Sequence, residues 1–146
     1  MSQHPYYSEE ELARAWIRRF SKNRTSVLLV DSADTQMRDD QRIEAETKWA
    51  FDELEKLVEN DPARAGAVIL RILDAAHQDE NALSNLAAGP LETLLARHGP
   101  DVLTWVETEA KANPKFKDLL KGVWRNAIDE SVWERVQSLS ADSKDT

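Results

Sequence analysis

Apolar residues recur at helical spacing along most of the chain, with short polar breaks between. In "SEEELARAWIRRF", Leu12, Trp16 and Phe20 return every four residues, with Ala13 and Ile17 beside them, which predicts an amphipathic helix. Ser8 followed by Glu11 three residues on is a capping box that starts it. Residues 36–59 predict a long amphipathic helix with Ile43, Thr47, Ala50, Leu54, Leu57 and Val58 inward, Phe51 extending that face. Residues 62–77 are apolar nearly all round, the mark of a helix buried on several sides, so this one is placed at the centre. Gly66 costs it about 1 kcal/mol relative to Ala, which a close helix crossing would explain. Shorter helices follow over about 80–88, 90–98, 101–112, 114–125 and 130–138, with anchors that include Leu86, Leu91, Leu94, Val106, Phe116 and Trp124. The run Val27–Val30 is too short to type by period; it reads as an extended segment over the helices or the end of a short helix.

The punctuation supports these boundaries. Asp61-Pro62 and Asn113-Pro114 each pair a capping side chain with Pro at the first helical position. Gly89-Pro90 and Gly99-Pro100 each read as a glycine ending one helix in the left-handed conformation and a proline opening the next. For Gly89-Pro90 the competing reading is one kinked, continuous helix. The pattern as a whole predicts an all-α fold: a compact multi-helix array of about 7–8 helices with HEAT-like antiparallel stacking, forming one domain over 1–139 and a polar tail over 140–146. No strict internal repeat accompanies it.

Composition adds constraints. A chain of 146 residues suits one core. It has no cysteine, so disulfides and thiolate metal sites are excluded. No apolar run approaches the ~20 residues a membrane helix needs, and the N-terminus shows no secretion signal; together these point to a cytoplasmic protein. The net charge of −8 is uneven: residues 31–61 hold eleven acidic and four basic side chains. That segment repels a phosphate backbone and attracts a basic protein.

No catalytic constellation emerges from the pattern. His98 precedes Gly99 at a helix end, where a donor satisfies the last carbonyls. His77 stands near Asp79 and Glu80, yet the spacing matches no metal motif, and carboxylates there are expected as helix caps. "GPLETLLARHG" is no phosphate loop: it lacks the second glycine and the Lys-Ser/Thr, Pro90 has no N–H to offer, and Glu92 opposes an anion. No metal, cofactor or catalytic residue is therefore assigned.

"LAAGPLETLLARHG", followed by "VETEAKANPKFKDLLKGVW", resembles an uncharacterised family of small bacterial proteins with the pattern A-A-G-P-L-E-x-L-L-x-x-H-G, then E-x-x-A, x-P-x-F and G-V-W. The positions here are Ala87 to Glu92, Leu94, Leu95, His98, Gly99, Glu107, Ala110, Pro114, Phe116 and Gly122 to Trp124. The resemblance runs over roughly 45–136, is strongest over 85–124, and leaves about 21–40 outside it as an elaboration. It implies an all-helical fold in a bacterial cytoplasm and no known activity. It marks Gly89, Pro90, Glu92, His98 and Gly99 as a structural motif.

The leading expectation is a non-enzymatic module that binds a basic protein through Asp39, Asp40, Glu44, Glu46, Trp49, Asp52 and Glu53, in its most specific form an immunity or antitoxin protein against a basic toxin. One alternative is an enzyme or a small-molecule or metal-binding sensor that uses His77, Asp79, Glu80, Glu92 and His98 in a pocket between the central helix and the Gly-Pro helix. Another is a structural subunit that self-associates through an exposed tryptophan face.

Overall fold

The computed structural model describes residues 7–21, 33–76 and 78–140, with the backbone alone over 33–39. Val27–Val30 and His77 lie outside these. The described residues form α1 (Glu9–Phe20), α2 (Ala33–Asn60), α3 (Pro62–Ala75), α4 (Glu80–Leu86), a π-helical turn (Ala87–Leu91), α5 (Glu92–Ala112), α6 (Pro114–Leu120) and α7 (Glu130–Ser140). This is the all-α multi-helix array expected from the sequence. No helix among the described residues is long and apolar enough to cross a membrane.

The local signals act as the chemistry requires. The Ser8 Oγ accepts from the Glu11 N–H at 3.0 Å, and the Glu11 carboxylate accepts from the Ser8 N–H at 2.9 Å, so two N–H groups with no intrahelical partner are satisfied together. Asp61 caps α3 and Asn113 caps α6, each followed by Pro at the first turn. Asp79 caps α4, accepting from the Ala82 N–H at 3.1 Å. The inward positions of α2, Ile43 to Val58, are buried as their spacing demands. In α3, Ala65, Val68, Ile69 and Ile72 are fully covered, so this helix is the centre of the molecule. A Cβ at Gly66 would stand 2.9 Å from the Trp105 ring, and that close approach accounts for a glycine in mid-helix.

Gly89-Pro90 does not separate two helices. The chain passes from α4 into α5 through the π-helical turn, so the continuous reading holds and the break over 88–90 is corrected. The cause is the missing proline N–H: the ladder widens around it, and the Glu92 N–H reaches Ala87 O, five residues back. Leu86 and Leu91, also five apart, are both fully buried. No glycine has a positive φ, so neither Gly89 nor Gly99 is a left-handed cap. The kink falls at His98, with φ −125° and ψ 19°, and Gly99 is bare because a Cβ there would stand 2.8 Å from the Val132 side chain.

α6 stops at Leu120 rather than 125, and the loop to α7 begins with Gly122 against the Ala87 side chain. Val123 and Ile128 anchor this loop in the core, while Trp124 between them is 70% exposed. Trp124 is thus no core anchor.

Candidate functional site: the groove between α2 and the Gly-Pro turn

The carboxylates of α2 divide between two tasks. Glu44 meets Arg19 at 2.7 Å and Glu46 meets Arg18 at 2.9 Å, binding α2 to α1. Arg19 is the better held: it also donates to Glu44 O at 2.9 Å, stands 5.2 Å from the Phe51 ring centre, and is only 17% exposed. Glu53 accepts from the Tyr7 hydroxyl at 3.0 Å, and Trp49 packs against the Tyr7 ring at 5.6 Å between centroids. Burial raises the Tyr7 phenol above its ordinary pKa, its hydrogen bond to Glu53 and the charge of Glu53 add to this, and Arg64 opposes it. Glu44, Glu46, Trp49 and Glu53 therefore hold α1 and its entry segment onto α2. Asp40 is half-buried near the start of the described side chains, and the Asp39 side chain lies outside them.

Asp52 belongs to the other group. With Glu55 and Glu59 it follows the i, i+3, i+7 line of one helix face, and the three border a groove of about 640 Å³ between α2 and the stretch from Gly89 to Arg97. Phe51 and Pro90 are half-buried in its sides, and Trp16, Leu54 and Val58 lie beneath. Lys56 and Arg97 also border it. Arg97 is held by Glu59 at 3.0 Å, Asp52 is held by Lys48 at 2.9 Å, and Glu55 forms no ion pair among the described residues. The groove was missed in the sequence because its two walls are far apart in the chain; the legible signal was the spacing of Asp52, Glu55 and Glu59. A Cβ at Gly89 would meet nothing within 4 Å, so the wall carries no side chain at this one position, between those of its neighbours Pro90, Thr93 and Arg97.

The residues of the sensor alternative other than His77, which lies outside the described residues, do not share one cavity. Asp79 is a helix cap, and Glu92 accepts from the Asn126 amide at 2.5 Å. Glu80 borders a smaller cavity of about 370 Å³ with Leu73, Ala87, Lys115 and Gly122, which neither Glu92 nor His98 reaches. No group of three potential metal ligands occurs among the described residues. His98 caps a carbonyl, but of another helix: its Nε2 lies 2.7 Å from Val58 O. A carbonyl only accepts, so the ring proton is on Nε2. The Val58 carbonyl needs this donor because α2 ends at Asn60 and the chain turns out of the helix at Asp61, φ −147° and ψ 71°, so no helical N–H returns to it.

The fold and groove define an all-α helical array with an apolar-floored groove edged by three carboxylates and two cations. Residues 37–144 match the family of unknown function DUF6869, and because the match takes in most of the chain, the protein belongs to that family. Neither the curated proteins nor the solved structures hold a match to the chain. The family span takes in α2 from residue 37 on, the Gly-Pro turn, His98 and the Trp124 loop.

Proposed function

We propose that the protein is a non-enzymatic binding module for a basic protein partner, with the groove between α2 and the Gly-Pro turn as its recognition surface. The observation that carries this is the line of Asp52, Glu55 and Glu59 beside an apolar floor. Apolar contact supplies affinity and the carboxylates select charge. The ion pairs of Asp52 and Glu59 are about half exposed, so a partner's Lys or Arg exchanges into them at small cost. The net charge of −8 steers such a partner inward. In its most specific form the partner is a basic bacterial toxin met in the cytoplasm and this protein neutralises it; the surplus acidity supports that form. The test is affinity capture from the source cells with the wild type and with Glu55→Lys/Glu59→Lys, both checked for helicity. A stoichiometric basic protein that leaves at high salt and is missed by the variant is the expected result; equal capture by both removes the groove from consideration.

The exposure of Trp124 favours a second reading, self-association through its loop. Sedimentation of the wild type and Trp124→Ser tests it: an assembly lost in the variant supports it, and a wild-type monomer at tens of micromolar (about the range of weak dimers) disposes of it.

A further inference from the structure

We infer that the segment occupying the groove is an amphipathic basic α-helix of the partner, laid against the wall at Gly89, where no side chain stands, with its cations in register with Asp52, Glu55 and Glu59. This rests on the proposed function and narrows it from a basic protein to a kind of segment.

Three features of the groove select a helix. The first is the bare position at Gly89. Gly66, Gly99 and Gly122 each face a side chain at 2.8–3.0 Å from where a Cβ would be, whereas Gly89 faces open space. A glycine there relieves the clash that a side chain would have with the following proline ring, and it leaves the groove side without a Cβ. Helix axes approach to 8–10 Å according to the side chains between them, so a bare position is where a second helix comes closest.

The second is spacing. At 1.5 Å rise per residue, Asp52, Glu55 and Glu59 stand roughly 4.5 and 6 Å apart along α2. Same-face residues of a helix, three or four apart, repeat at about the same interval, while alternate residues of a strand repeat at roughly 6.6 Å and drift out of register. The third is the backbone. An extended peptide gains affinity by adding to a sheet edge, and no strand occurs among the described residues. Both groove walls are helical and offer side chains and, at Gly89, bare backbone, the surface that helix-in-groove recognition uses.

The probe is a labelled peptide of about 14 residues, Leu and Lys placed at helical spacing, compared with the same composition in strict alternation. Binding is followed by anisotropy, and the peptide's helicity by difference circular dichroism. The protein is used as wild type, Glu55→Lys and Thr93→Phe. Thr93 is exposed on the groove wall, so the last variant fills the groove without disturbing the core. The inference expects the helically spaced peptide to gain helix on binding and to bind about tenfold more tightly than its isomer, with each variant weakening it about tenfold. Loss of affinity on Glu55→Lys with equal binding of the two isomers overturns the helix while leaving a basic partner in place. Binding indifferent to both variants overturns the helix and the groove together.

Discussion

At the scale of single residues, the end of α2 leaves a backbone acceptor that a side chain forty residues on completes. The turn at Asp61 leaves the Val58 carbonyl without a helical partner, and the His98 ring supplies one from another helix. His98→Ala should therefore cost about 1–2 kcal/mol, the usual penalty for stranding a buried carbonyl. His98→Gln, whose amide N–H can donate to the same carbonyl, should cost less. Urea unfolding of the wild type and the two variants measures the difference, and equal losses in both variants would contradict the assignment. That His98 caps a helix was legible from its place before Gly99; which helix was not, because Val58 is forty residues away. Tyr7 carries the pH dependence at this scale. Its folded-state pKa lies above the ordinary value, so the contribution is complete below about pH 10 and is lost as pH rises through the folded value, when a phenolate would face Glu53. Alkaline absorbance titration should show a late-ionising tyrosine that vanishes in Tyr7→Phe.

At the scale of elements, the caps and periods fixed by neighbours in sequence were readable, and the turn at Gly89-Pro90 was only half readable. A proline either ends a helix or widens its ladder, and what decides here is that Leu86 and Leu91 both find the core. A π-helical turn holds one residue more than an α-helical turn. Deleting Pro90 should therefore leave Leu86 and Leu91 four apart on one face of an ordinary helix. The deletion variant is expected to fold with unchanged helicity and a melting temperature at or above that of the wild type. Loss of cooperative unfolding would mean that the turn is required for folding. The end of α6 was misread because the apolar run continues to Trp124, and sequence alone does not tell a tryptophan that anchors a loop from one that the loop holds outward.

At the scale of the whole molecule, the acidity of residues 31–61 was plain in the sequence, but its division of labour depended on what packs against α2. Arg18 and Arg19 of α1 engage Glu46 and Glu44, while Asp52, Glu55 and Glu59 border the groove. Charge reversal should separate the two groups. Glu44→Lys, placed against the largely covered Arg19, should lower stability by about 1–2 kcal/mol. Glu55→Lys should leave stability within about 0.5 kcal/mol and act on partner binding instead. Thermal unfolding beside a binding assay distinguishes them; a stable Glu44→Lys protein would undo the assignment of that pair to the α1–α2 contact.

The placement of the tryptophans has an optical consequence. Trp124 stands in water at 70% exposure, while Trp16 lies under the groove at 1%. A soluble quencher should strip the emission of Trp124 and leave that of Trp16 largely intact. In Trp124→Ser, with Trp49, Trp105 and Trp133 at intermediate exposure as background, the remaining fluorescence carries a built-in signal for whatever enters the groove above Trp16.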